Sequence, residues 1–308
     1  MAPHLPGPAS TPPQDAAAAR ARAARIVSVH SFRGGTGKSN STANLAALLA
    51  RAGMRVGVID TDIQSPGIHV LFERSPSSFH RALNDFLWGR CPIGDAAVDV
   101  TLLALGAAPG ADFKGRLYLV PASLDAGDIA RVLRDGYDAG LLGEGFRELV
   151  RALELDYLLI DTHPGVNEET LLSIAISDLF LLLLRPDAQD FQGTSVTLEL
   201  ARRLGVEEIN VILNKVPPGV DGSLLVAQVE AAYEAPVVGV LPLSHDVARL
   251  ASAGLFVTRF PDHPWTRELA VVAERLRMGV LSSDRSAPGG AGPRGPAPRG
   301  AAPAGAAP

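Results

Sequence analysis

The sequence predicts a doubly wound α/β fold, a mostly parallel sheet with helices on both faces, and three observations carry that reading. Short apolar runs alternate with longer helical patterns through the middle of the chain, the rhythm of repeated βαβ units. The run Leu179–Leu184 is almost pure leucine, as a strand buried on both faces demands. A glycine-rich turn at residues 33–39 sits between a strand pattern and a helix pattern, where such sheets open a ligand crevice.

In chain order, residues 26–32 open with Ile26, Val27 and Val29, a β-branched strand, and residues 37–52 are rich in Ala and Leu, a helix. Residues 56–60 form the second strand. A helix is expected over 79–88, a strand over 117–120, and helices over 125–133 and 144–153. The apolar stretch 157–161 ends in Asp161 and reads as a central strand, followed by a helix over 168–176 and the strand 179–184. Helices over 194–204 and 224–233 separate strands at 209–213 and 237–240, and the helix 264–281 closes the domain, whose expected span is 26–282.

Outside that span, residues 1–25 and 283–308 are dominated by Ala, Pro, Gly and Arg, too poor in apolar surface to offset the entropy of ordering. Both are expected to be disordered tails. With 308 residues, 47% hydrophobic and 20% charged, the rest can bury one large core. The single cysteine, Cys91, excludes an internal disulfide and a CxxC metal site. Prolines 3, 6, 8, 12 and 13 break any leader-like apolar run, and Arg185 with Pro186 stops the apolar run at 184 far short of a bilayer crossing. A cytoplasmic location is expected. The net charge is −5, and each end carries three Arg against one Asp, so the folded part is the acidic part. That weighs against a broad DNA-coating surface.

The loop reads Arg33-Gly34-Gly35-Thr36-Gly37-Lys38-Ser39, followed by Asn40. Glycines let backbone N–H groups turn inward around a phosphate, Lys38 can neutralise β- and γ-oxygens, and the Ser39 hydroxyl can ligate Mg2+. A strict Walker A pattern wants glycine where Phe32 stands. Downstream, Val58-Ile59-Asp60-Thr61-Asp62 places two carboxylates at a strand's carboxyl end, and Asp156 to Gly165 is an apolar strand ending in Asp161, then Thr162-His163-Pro164-Gly165.

These motifs resemble the MinD/ParA family of deviant-Walker ATPases, P-loop NTPases whose loop carries an extra lysine near its start; here Arg33 occupies that position, and arginine for lysine is not a neutral exchange. The resemblance covers about residues 26–280 and implies ATP and Mg2+ as ligands. It makes Gly34, Gly35, Thr36, Gly37, Lys38, Ser39 and Asn40 the phosphate cradle, Arg33 the residue that reaches a partner's phosphates across an ATP-sandwiched homodimer, and Asp62 the carboxylate that positions hydrolytic water. It assigns Ser39, Asp60, Asp62 and Asp161 to the magnesium shell, partly through water, Asn214 to the adenine, and Pro242 to the segment along the base. Gly165 is the pivot of the second switch. His163 is expected to meet backbone or solvent rather than to act as a base.

The family serves several ends. One cysteine is too few for the metal-cluster carriers, and the helix 264–281 has the spacing of a packed core helix rather than a membrane anchor. Arg249, Arg259, Arg267, Arg275 and Arg277 are candidates for DNA contact, but Asp246, Asp262, Glu268 and Glu274 interleave with them. The expectation is an ATP-switched dimer recruiting a protein partner. A DNA-partitioning ATPase and a small-molecule ligase or kinase are the alternatives.

Overall fold

The computed structural model describes residues 24–108, 110 and 112–279. The expected tails lie outside the described residues, apart from Ala24 and Arg25. The strands are β1 (Arg25–His30), β2 (Arg55–Asp60), β3 (Val98–Asp99), β4 (Arg116–Val120), β5 (Tyr157–Asp161), β6 (Leu179–Leu184), β7 (Glu208–Val216) and β8 (Val237–Pro242). They form one sheet in the order β3-β4-β2-β5-β1-β6-β7-β8. Every pairing is parallel except that of β3 with β4.

Successive crossovers run one way from β1 through β2 and the other way through β6 to β8, so the crevices beside β1 are the topological switch points. The phosphate loop leaves β1 there. Register brings the acids together: Asp161 at the end of β5 pairs with Val29 of β1 on one side and with Asp60 of β2 on the other.

One face of the sheet is covered by helices Lys38–Arg51 and Pro264–Met278, with Leu45, Leu49, Trp265, Leu269 and Leu276 in a common core. The other face carries helices Ala139–Ala152, Ala188–Arg203 and Gly222–Tyr233, which bury Phe146, Leu198 and Val229. Phe180, Leu181, Leu182 and Leu184 of β6 are 0% exposed, so its unbroken apolar run reflects packing on both faces. Among the described residues no helix is long and apolar enough to cross a membrane.

Some expected boundaries shift. Helices expected at 144, 194 and 224 begin at Ala139, Ala188 and Gly222, each behind an aspartate whose carboxylate accepts from the first turn's N–H groups. The helix expected over 79–88 is confined to Leu83–Leu87. The sequence reading missed β3 and the short helices Thr101–Leu105, His245–Leu250 and Phe256–Arg259. The last residues of the helix expected to reach 281 lie outside the described part.

Candidate nucleotide site

Helix Lys38–Arg51 starts without a side-chain cap: its N-cap is Gly37, at φ 94°, and its first turn holds no acid. By contrast, Asp125, Asp138, Asn167, Asp187 and Asp221 each cap the helix that follows them. The N–H groups at the start of the phosphate helix are left for an anion. Gly35, at φ 76°, and Gly37 supply the left-handed turns, and a Cβ on Gly37 would lie 2.6 Å from Asn214 Nδ2. No other residue type fits there.

Phe32 explains the departure from the strict loop pattern. Its ring lies directly on Gly193 of helix Ala188–Arg203, where an added Cβ would sit 1.8 Å from the ring. The aromatic anchors the beginning of the loop to a helix 160 residues away in sequence. Behind it, His30 is fully buried and stacks on Phe180 at 5.8 Å. Thr162 Oγ1 donates to Val29 O at 3.0 Å, so it accepts from His30 Nδ1–H at 2.8 Å, and Nε2 is left buried without a partner. Burial, reinforced by the charge of Lys38, pushes this imidazole down to about 3. The first strand and the second switch are thereby tied by a neutral histidine.

Lys38 is buried, and its Nζ donates to Asp161 Oδ1 at 2.6 Å. Thr42 Oγ1 lies 3.4 Å from the same oxygen. Ser39 is half-buried beside them. Asp60 holds the backbone that follows β2: one oxygen accepts Asp62 N–H at 3.0 Å and the other accepts Gly67 N–H at 3.1 Å and Ile68 N–H at 3.4 Å. As placed it shapes the first switch loop. Burial and then the neighbouring Asp161 raise its carboxyl well above the usual range.

Asp62 keeps one buried oxygen, Oδ1, without a hydrogen bond, and His163 Nε2 stands 3.8 Å away. Burial raises this carboxyl too, against the pull of His163 and Lys38. His163 Nδ1 meets its neighbour's backbone, Pro164 O, at 2.6 Å, the backbone contact expected of it. It also bridges the segments that follow β2 and β5. Gly165, at φ 83°, donates its N–H to Ser31 O at 3.3 Å, fastening the second switch to the loop's approach.

Arg33 is turned inward on its own chain. Its guanidinium donates to Gln189 Oε1, and its Nε lies 4.0 Å from Asp190 Oδ1.

A cleft of about 300 Å3 opens beside the loop, lined by Gly35, Gly37, Asn40, Asn214, Lys215, Pro242, Leu243, Ser244, Val247, Ala248 and Trp265. It gathers Asn40, Asn214 and Pro242, all three expected near a nucleotide. Asn214 is buried and donates from Nδ2 to Thr36 O at 2.6 Å. Lys215 and Trp265 were not singled out. The signal for Lys215 was its place next to Asn214 at a strand's end, while Trp265 gave none, since an apolar helix position reads only as core.

The residues fit a magnesium nucleotide. Thr36 Oγ1 and Asp62 Oδ1 are buried without partners, the helix start is uncapped, and the loop's glycines leave space no side chain fills. Among the described residues no three His, Cys, Asp or Glu side chains converge on a metal position, so magnesium would complete its shell with phosphate oxygens and water.

Residues 27–257 match the CobQ/CobB/MinD/ParA nucleotide-binding domain. The chain belongs to that family. It is 28% identical over 255 residues to an uncharacterized ATP-binding protein of Methanocaldococcus jannaschii, a match covering 81% of this chain and 86% of the relative. It is 23% identical over 257 residues to the septum site-determining protein MinD of Thermotoga maritima, covering 82% and 88%. Its fold is that of MinD from Pyrococcus horikoshii, solved in complex with Mg-ADP: TM-score 0.68, 20% identity, 85% of this chain and 99% of that one. A MinD/ParA-type nucleotide-binding domain is therefore what the loop and the sheet build.

Proposed function

We propose that this member of the family binds Mg-ATP, hydrolyses it slowly, and cycles between a monomer and an ATP-sandwiched homodimer that recruits a protein partner. The observation that carries the reading is Asp62, whose unpartnered buried oxygen stands beside a phosphate loop already charged by Lys38. A carboxylate there orients water, and phosphoryl transfer needs positioning more than a strong base. Magnesium held through Ser39 and Asp161 would offset charge on the β- and γ-phosphates. Lys38 would stand at those oxygens, and the His163 contact brings the second switch to the first.

Arg33 is the residue whose role changes most between the two states. In the isolated chain it is occupied by Gln189 and Asp190; reaching a partner's phosphates requires leaving them. The acid-free lining of the cleft favours adenine, because guanine presents N–H donors that a carboxylate satisfies best.

The DNA reading is less well supported. Arg259 pairs with Glu73 at 2.7 Å, Arg277 with Glu274 at 2.6 Å and Arg249 with Asp246 at 3.8 Å, while Arg275 donates to Val238 O at 2.9 Å.

The test is molar mass by light scattering for wild type and Asp62→Ala, each with ADP and with Mg-ATP, alongside phosphate release. The expected outcome is a doubling of mass with ATP that persists in Asp62→Ala, with hydrolysis about a hundredfold slower in the variant. Equal hydrolysis by the two proteins removes Asp62 from its role, and unchanged mass removes the dimer switch.

A further inference from the structure

In a chain with more acid than base, Arg25, Arg185, Arg259 and Arg277 each hold a carboxylate. Among the described residues Arg74 and Arg116 form no ion pair; their bonds go to backbone carbonyls. The two line one cavity of about 430 Å3 at the β3–β4 edge of the sheet, together with Asp99, Val100, Leu102 and Leu103. The cavity exists because β3 ends after two residues. Val100 N–H still reaches Leu117 O at 2.8 Å, but the Thr101 hydroxyl then takes Leu117 N–H at 2.9 Å, and the chain turns away as the helix Thr101–Leu105. Arg116, at the start of β4, is left with no strand on its outer side.

Both guanidinium groups are held in place without being neutralised. Arg116 Nη1 donates to the carbonyls of Phe113 at 3.1 Å and Gly115 at 2.8 Å, which fix its plane. Arg74 follows the turn Ile68–Phe72, where its own N–H closes on His69 O at 3.3 Å, and the adjacent Glu73 is taken by Arg259 at 2.7 Å. Arg74 Nη2 has only Asp99 O, at 3.5 Å, and Nε is buried without a partner, a donor whose unmade bond costs stability. A carboxylate on the edge that carries Nε and Nη2 would satisfy it, in the two-bond geometry that arginine favours. Leu102, 62% exposed, and Leu103 give the cavity an apolar wall.

We propose that this cavity docks an acidic segment of a partner protein, with carboxylates on Arg74 and Arg116 and an aliphatic side chain against Leu102. A nucleic-acid strand is the poorer occupant. Asp99, whose Oδ1 accepts Thr101 N–H at 2.8 Å, stands in the cavity and opposes a line of phosphates, whereas a peptide brings N–H groups to it. The site shares no lining residue with the nucleotide cleft, so it stands whether or not the chain hydrolyses ATP, and it gives the recruited partner a chemistry.

The experiment is fluorescence anisotropy of the full chain with a dye-labelled peptide Glu-Glu-Leu-Glu-Leu-Glu, with the same peptide carrying Lys for every Glu, and with a short DNA duplex. The acidic peptide should bind wild type about tenfold more tightly than the basic one, against the chain's net negative charge. Arg74→Ala and Arg116→Ala should each weaken it about tenfold, while Arg203→Ala, which removes an exposed arginine from another helix, should leave it unchanged. Replacing both cavity arginines by Glu should invert the preference, an outcome that unfolding cannot mimic. Equal binding of the two peptides by wild type overturns the proposal, and so does a loss in Arg74→Ala and Arg116→Ala no greater than in Arg203→Ala. Tighter binding of the duplex, lost in the same two variants, also overturns it and makes the surface a nucleic-acid one.

Discussion

Two lysines stand at the phosphate loop, and the protein holds them in opposite ways. Lys38 is buried at the phosphate end, with a carboxylate for a partner, in a setting where every nearby acid is also buried. Lys215 is exposed at the cleft, with a neutral carbonyl for a partner and apolar residues around it. A buried ion pair is expensive to break, because the partner left behind has neither water nor a counter-charge; an exposed tether is cheap to break, because water replaces it. The Lys38 contact is thus fixed by folding, and the Lys215 contact is free to adjust.

The sharpest way to break this contrast is Lys38→Ala. It strands Asp161 inside the core, and the expected cost is about 3–5 kcal/mol of stability, read from urea unfolding, together with a loss of Mg-ATP affinity beyond about a hundredfold. Lys215→Ala should leave the unfolding midpoint within experimental scatter. If the two variants cost the same, burial does not distinguish the two contacts.

Gly193→Ala probes the phosphate end from behind. The added methyl meets the Phe32 ring, and overpacking of this kind costs about 1–3 kcal/mol. The expected signature is lower stability and weaker phosphate binding together, with Phe32→Leu in the same background restoring part of both.

At neutral pH the smallest effect is that of His30, which shows only as a pH dependence. His30 takes up a proton only near pH 3 when folded but near pH 6.5 when unfolded. The unfolded chain therefore binds more protons between those values, stability falls as pH drops through that window, and the contribution is flat above it. At pH 5 the loss from this group is about 2 kcal/mol. Other buried groups titrate too, so the informative quantity is the difference in slope between wild type and His30→Asn, which keeps a donor toward Thr162. Parallel slopes would mean that His30 takes up its proton at the same pH in the folded and the unfolded chain.

Much of the site was legible because its signals are local. The loop, Asp62 and Asp161 are written in runs of a few residues whose backbone and chemistry are set by their immediate neighbours. Helix starts at Ala139, Ala188 and Gly222 were misplaced although Asp138, Asp187 and Asp221 announced them, since Gly140, Gly143, Gly145 and Gly193 weakened the helical pattern just beyond two of those caps. The region 68–105 was harder. Its short turns of helix and the two-residue β3 have no periodicity of their own and exist through packing, as Leu83, Phe86 and Ile93 do against Phe146. The inward setting of Asp60 and the cis contacts of Arg33 were also hidden, because both depend on residues that only the folded chain brings near.

The Phe32–Gly193 contact carries a consequence for how such chains diverge. A ring at the head of the loop and a bare backbone on the distant helix are a matched pair, so neither position can drift alone. Relatives that restore a small residue at the loop's head are released from the need for glycine on the helix, and those that keep the ring are not. The two positions should therefore be inherited together, and that joint inheritance is a mark by which chains built this way can be sorted from those that meet the strict loop pattern.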